Sequence, residues 1–352
     1  MAGMTSAYSD RACRLFAMLG GAEHICIVVH SHPDGDALGS SAALCRYARE
    51  RLAKDCRVIL PDACPQVLDF VRKGLHYVDA EENPEKAEEL LQEADLIVCM
   101  DMNAFNRASS LEESLRGSGA TKVLIDHHLN PDEKSFDLII SETAVSSASE
   151  VLYWVLLGMP GIAGAADLPL KCSEALMTGM TTDTNNFANS VFPSTLSMAA
   201  DLLSAGVDRD RLLMMIYNRY GESRIRAMGF FLDRKLRITK DGVAYMVIKR
   251  EEYEAYHLKD GDTEGFVNIP LVVGKVRLSL FLKEDKGFYR VSIRSKRGTS
   301  AARLAKEYFN GGGHECASGG KLYFPADIPD RDAAEHYIEE VTARFLHKDK
   351  AA

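Results

Sequence analysis

ICIVVHSHPDGDALGSS, residues 25–41, is the stretch that decides how this chain folds. Its first five residues are apolar and mostly β-branched with no polar alternation, the pattern of a strand buried on both faces. Pro33 and Gly35 then force a turn, and from Ala37 the spacing becomes helical. Strand, tight turn and helix follow one another, and the turn carries a histidine and two aspartates. Comparable apolar runs recur at CRVIL (56–60), DLIVCMD (95–101), KVLID (122–126) and DLIIS (137–141). Helical patterns such as 37–54 and 83–93 separate most of them. Strands alternating with helices predict an α/β domain with a parallel sheet covered on both faces.

The pattern changes further along. Residues 194–234 read as a helical connector, with few turn signals beyond Gly206 and Gly221. Strand-like runs then follow at 243–249, 276–282 and 288–294, a helix near 300–309, a short strand at 320–324 and a final helix. This predicts a smaller mixed α/β domain. The expected division is therefore 1–193, a connector at 194–234, and 235–352.

Four segments carry chemistry to the ends of these elements. They are His30 with Asp34 and Asp36 after the first strand, Asp101 after LIVCM, Asp126-His127-His128 after KVLI, and Asp183 closing the helical LKCSEALMTGM. Each alone reads equally well as a turn or a helix cap. Together they bring carboxylates and imidazoles to one edge of one sheet, where ligands of open parallel sheets bind. Such a crowd of like charges is costly unless a cation neutralises it. Carboxylate with imidazole suits Mn²⁺, with Mg²⁺, Co²⁺ or Zn²⁺ as alternatives, and no cysteine joins the set. The ligands suffice for two ions, a pair typically about 3.5–4 Å apart.

The whole chain bounds the reading. It has 352 residues, a net charge of −9 and 46% hydrophobic residues. That charge argues against a long duplex as partner. No apolar run approaches the roughly 20 residues that span a bilayer, and the opening MAGMTSAYSDRACRLF lacks a signal-peptide pattern. The eight cysteines form no C-x-x-C pair. They read as free thiols, and the chain as cytoplasmic.

These segments, in this order, resemble the DHH family of phosphoesterases: HSHPDGDALGSS, the Asp of MDMN, DHH itself, and TGMTTDTNNF. SIRSK at 292–296 and NGGGHECASGG at 310–320 resemble the DHH-associated domain, so the likeness runs from about residue 30 to residue 320. It implies that His30, Asp34 and Asp101 bind one metal, and Asp36, Asp101, His127 and Asp183 the other, with Asp101 bridging. It implies that His128 faces the substrate phosphate in acid catalysis or charge stabilisation, and that Asp126 orients the neighbouring imidazoles. The variable His32 is left out. Asn185 and Asn310 depart from the family pattern, each standing where glycine is usual, and Ser318 stands for an alanine.

The second domain is expected to grip the substrate. Residues 283–306 carry eight basic side chains against Glu284 and Asp285. Arg294 can hold a phosphate bidentately, and the glycines at 311–313 let backbone N–H groups approach an anion. Arg294, Ser295, Gly312, Gly313 and His314 are the expected contacts. The resemblance is nearest to the bifunctional oligoribonucleases and 3′-phosphoadenosine 5′-phosphate (pAp) phosphatases. The expected substrates are RNAs of two to five residues or small nucleotides such as pAp. Alternatives are a cyclic di-AMP or pApA phosphodiesterase, an inorganic pyrophosphatase or exopolyphosphatase, and a non-catalytic nucleotide-binding regulator. A homodimer is compatible with the sequence.

Overall fold

A computed structural model describes residues 2–217, 221–259 and 261–351. The chain forms two compact units, Met1–Arg219 and Tyr220–Ala352, each with its own core.

The first unit begins with α1 (Ala2–Gly21), β1 (His24–Val29), α2 (Gly35–Leu52) and β2 (Asp55–Leu60). It continues with α3 (Asp69–Arg72), β3 (Tyr77–Asp79), α4 (Pro84–Glu93), β4 (Leu96–Met100), α5 (Glu112–Gly117), β5 (Thr121–Asp126) and β6 (Leu138–Ser141). Four helices complete it: α6 (Ala148–Leu157), α7 (Leu170–Asp183), α8 (Pro193–Ser204) and α9 (Arg209–Tyr217). The strands form one six-stranded sheet in the order β3-β2-β1-β4-β5-β6, parallel throughout.

Alternation along the strands divides the apolar load between two layers. Ile25, Ile27, Val29, Val58, Val98 and Ile125 pack on one face with α1, α2, α6 and α7. Cys26, Val28, Ile59, Ile97, Cys99 and Leu124 pack on the other with α4 and α5. Each buried Val or Ile is worth about 1.5–3 kcal/mol. Both faces being covered explains why the runs show no polar alternation. Among the described residues no helix is long and apolar enough to cross a membrane.

Helices α2 and α7 meet without bulky side chains between them. A Cβ on Gly39 would lie 2.7 Å from the carbonyl of Ala175 and 2.8 Å from Cα of Gly179. That approach brings the start of α2 towards the carboxyl half of α7.

The second unit contains α10 (Glu222–Phe230), β7 (Arg237–Ile238), β8 (Val243–Ile248), α11 (Arg250–Ala255), β9 (Leu278–Asp285) and β10 (Phe288–Ser295). It ends with α12 (Ala301–Tyr308), β11 (Gly312–His314), β12 (Ala317–Tyr323) and α13 (Ala334–Ala351). Its sheet runs β11-β12-β10-β9-β8-β7, antiparallel except for the parallel β8–β9 pair. One face carries α12 and α13. The other is closed by aromatic residues, among them Phe231, Phe266 and Phe281.

Candidate metal centre

Sheet register aligns the first candidate groups. Val29 lies beside Met100, and Met100 beside Ile125. The next residues, His30, Asp101 and Asp126, therefore emerge side by side at the carboxyl edge, on strands about 4.8 Å apart. Strand order reverses between β1 and β4, and a crevice opens where chain connections diverge to opposite sides. Asp101 leaves β4 with φ of +59°. A left-handed conformation in a buried non-glycine residue is strain of the kind kept at functional sites.

The remaining groups come from helix ends. Asp34 caps α2, its Oδ1 accepting from the amides of Asp36 at 2.9 Å and Ala37 at 3.1 Å. The bland reading of Asp34 as a helix cap is thus correct, and the cap holds the carboxylate in place. Asp36 is buried, and its carboxylate accepts from the amides of Ala148 at 2.6 Å and Ser149 at 3.0 Å, the first residues of α6. Asp183 ends α7.

Three clusters result, within each of which one ligand atom per residue lies within 4.8 Å of the others: His30 with Asp34 and Asp101, Asp36 with His127 and Asp183, and Asp101 with His127 and His128. His30 Nε2 is 3.5 Å from Asp101 Oδ2, and His127 Nε2 is 3.5 Å from Asp101 Oδ1. These separations are long for charge-assisted hydrogen bonds and suit ligands that share a cation. Among the described residues Asp101 Oδ1 is buried with no hydrogen-bond partner, a cost that a cation would remove. Hard carboxylate oxygens with imidazole nitrogens, and no thiolate, are the donor set of a divalent ion such as Mn²⁺ or Mg²⁺.

Electrostatics agree with a site built for positive charge. Burial works against protonation of His30 and His127, yet the surrounding carboxylates overcome it. His30 is raised to about 9, chiefly by Asp101, and His127 to about 10 by Asp101, Asp36 and Asp183. Burial, with repulsion from Asp101 and Asp183, lifts the Asp36 carboxyl well above its usual range. Burial likewise raises Asp183 to about 7, with Asp101 and Asp34 adding to it against His127. Burial opposes the charge on Asp101 too, but His127 and His30 hold its pKa below the ordinary range. The same carboxylates that favour a proton on each imidazole would favour a cation between them.

Two partly buried contacts orient the imidazoles. His128 Nδ1 lies 2.7 Å from Asp126 Oδ1, which sets the tautomer with Nε2 as the basic nitrogen. His30 Nδ1 lies 2.8 Å from the carbonyl of Ser31, which leaves Nε2 to point at Asp101. Sequence reasoning missed the support behind Asp36. The Ser146–Ser149 segment is tied down by buried Glu150, whose Oε2 accepts from Ser146 N and Oγ and from Thr195 Oγ1. A carboxylate four residues beyond Ser146 in a serine-rich approach to a helix was the available signal.

In the second unit, Arg294 is half-buried on β10 and donates through Nη1 to the carbonyls of Ile293 at 2.9 Å and Ser318 at 3.4 Å. Burial lowers its pKa. Ser295 is buried, and its Oγ has no hydrogen-bond partner among the described residues. Arg294 pairs with Ala317, and Ala317 with His314, so the three stand in one row across the sheet. The side chain of His314 lies outside the described part of the structure. Gly311 and Gly313 are required by packing, since a Cβ on either would strike the backbone of β12. At Gly312 the space is open. Asn185 and Asn310 both adopt φ of +46°. Asparagine tolerates this left-handed region, which accounts for both departures from glycine.

Comparison with known proteins gives the family. The DHH family N-terminal domain matches residues 24–180, and the DHHA1 domain residues 256–341. A Bacillus subtilis protein named bifunctional oligoribonuclease and PAP phosphatase NrnA is 29% identical over 304 residues, covering 84% of this chain and 89% of its own. The crystal structure of an exopolyphosphatase-related protein from Bacteroides fragilis superposes with a TM-score of 0.89 at 34% identity, covering 98% of both chains. RecJ from Thermus thermophilus, crystallised with Mn²⁺, shares the fold at a TM-score of 0.55 and 15% identity, over 96% of this chain and 54% of its own. With both domains present in order and a relative matched from end to end, the chain belongs to the DHH family of phosphoesterases.

Proposed function

We propose that this chain hydrolyses short phosphorylated nucleotides, RNAs of two to five residues and pAp, at a centre holding two Mn²⁺ ions. The observation that carries the reading is the pair of clusters His30/Asp34/Asp101 and Asp36/His127/Asp183, with the two oxygens of Asp101 turned towards different histidines. The first trio would hold one ion, the second the other, and Asp101 would serve both. Divalent ions bound there supply Lewis acidity and a nucleophilic water at neutral pH.

The chain's own residues do the rest. Asp34 and Asp36 are immobilised by backbone amides, so neither carboxylate must reorganise when substrate binds. With a proton on Nε2 as well, His128, oriented through Nδ1 by Asp126, would donate that proton or a hydrogen bond to the phosphate oxygen on which charge develops. In the second unit, Arg294, Ser295, Gly312, Gly313 and His314 would hold a terminal phosphate. Arg294 already has a desolvated guanidinium, which strengthens a bidentate grip. The eight cysteines are all free, in keeping with a reducing cytoplasm.

The test offers purified protein pAp, a 5′-labelled RNA trimer, pApA, cyclic di-AMP, pyrophosphate and polyphosphate with Mn²⁺. Hydrolysis of pAp and the trimer is expected. No turnover of any substrate would overturn the enzyme reading. Turnover of pyrophosphate or polyphosphate alone would overturn the nucleotide reading in favour of the activity suggested by the Bacteroides relative's description.

A further inference from the structure

The first unit has a second concavity, a cavity of about 830 Å³ between α2, the 69–77 segment, α7 and α9. It uses the distal part of α2 and the opening turns of α7, and no residue of the metal clusters lines it. Its lining runs against the charge of the chain, with five cations and two carboxylates in a protein of net −9.

Both carboxylates are already committed. Asp69 pairs with Arg72 at 2.9 Å, and Glu174 is shared between Lys171 at 2.5 Å and Arg211 at 3.6 Å. None remains for Arg46 or Lys73. Arg46 is only 8% exposed. Its Nη2 donates to the carbonyls of Val71 at 3.2 Å and Lys73 at 2.9 Å, and its Nε has no hydrogen-bond partner among the described residues. Carbonyl dipoles solvate a guanidinium but do not neutralise it, and a buried charge without a counter-ion is costly.

The remaining wall is apolar and partly aromatic. Phe70 and Tyr77 contribute rings, and Leu212 and Met215 face the cavity from α9. Tyr77 already receives the Arg72 guanidinium 5.6 Å from its ring centre, so this wall suits delocalised partners. A volume of this size, with a few cations converging on an apolar wall, has the form of a small-molecule site.

We propose that this cavity is a second, non-catalytic ligand site for a small organic phosphate bearing an aromatic ring. The phosphate is held by Arg46, Lys73 and Arg211, and the ring lies on the Phe70–Tyr77 wall. The proposal does not rest on the metal centre or on its substrate.

AMP is the probe, with adenosine and inorganic phosphate as its two halves. Calorimetric titration would use the full chain carrying Asp101→Asn in EDTA, so that no ligand is consumed. Lys73→Glu and Arg211→Glu, both at exposed positions, are made separately in that background. AMP is expected to bind, and each reversal to weaken its Kd by about tenfold or more, the worth of one charge-assisted contact. Adenosine and phosphate should each bind about tenfold more weakly than AMP, or less tightly still. Unchanged AMP affinity and stoichiometry in both variants would overturn the proposal, because AMP would then be bound elsewhere. Phosphate binding as tightly as AMP would overturn the aromatic half of the site.

Discussion

Replacing Gly39 by alanine tests whether the α2–α7 contact sets the metal centre. The added Cβ would stand 2.7 Å from the Ala175 carbonyl and from the Gly179 amide, both backbone atoms that cannot rotate aside. Ordinary carbon contacts begin near 3.5 Å, so the helices must part by roughly 0.8 Å. Overpacking of this kind costs up to about 3 kcal/mol. Alanine returns about 1 kcal/mol of helix propensity relative to glycine. The net loss is roughly 2 kcal/mol, which for a unit of this size lowers Tm by about 4–8 °C. Metal sites tolerate ligand shifts of only about 0.2 Å, so Asp36 on α2 and Asp183 on α7 should also lose affinity for a shared ion. Calorimetric melts in EDTA and a Mn²⁺ titration read both effects. Gly229, in α10 with open space around it, is the control, and Gly229→Ala should stabilise slightly. A Gly39→Ala protein as stable as the parent, with unchanged Mn²⁺ binding, would refute the reasoning.

Other outcomes follow from the same geometry. His30 and His127 are raised from 6.5 to about 9 and about 10, so the stability they contribute is complete below about pH 6.5 and is lost as pH climbs through those values. Asp183, raised from 3.8 to about 7, acts in the same direction between those limits. The Tm in EDTA should therefore fall from about pH 5 to pH 9 while the upward shift caused by Mn²⁺ grows; a shift that shrinks with pH would contradict this. Asp126→Asn should lower kcat by about 10–100-fold with little change in metal stoichiometry, because it disturbs the orientation of His128 alone. Glu150→Ala strands the buried donors of Ser146 and Thr195 and should cost roughly 3 kcal/mol in a denaturant melt; a neutral result would show those bonds to be dispensable. Arg294→Ala should raise KM for pAp by about tenfold or more and leave kcat less affected, and the reverse split would place Arg294 in the chemical step.

Much of this was legible in the sequence because the physics was local. The runs at 25–30, 56–60, 95–101, 122–126 and 137–141 are strands β1, β2, β4, β5 and β6 to within a residue or so at each end. Two-sided burial leaves them few polar positions, and that signature needs no tertiary knowledge. The chemistry-bearing residues were visible because histidine and aspartate at the ends of apolar strands have few structural uses. What was hidden depends on distant partners. Helix α1 is the exception, because Tyr8, Ala12, Leu15 and Leu19 form a buried stripe at i, i+4, i+7 and i+11 that was there to be read. Strand β3 is three residues long and owes its existence to pairing with β2. Strand β9 runs on to Asp285, past the expected end at 282, because the polar Lys283–Asp285 segment pairs across a turn with β10. The clamp of α6 on Asp36 joins residues 112 and 113 positions apart, and no spacing rule reaches that far. Nor could the sequence separate the glycines at 311 and 313, fixed by strand packing, from Gly312, where the space is open.

Hydrolysis of a 5′-labelled RNA trimer and of pAp, by the parent chain and by Asp101→Asn, each with Mn²⁺ and with EDTA, bears most directly on the central claim. The parent is expected to release mononucleotide and phosphate only with Mn²⁺, and Asp101→Asn to fall to the level of the EDTA control while remaining folded. Full activity in Asp101→Asn, or in the parent under EDTA, would contradict a metal centre built around that carboxylate.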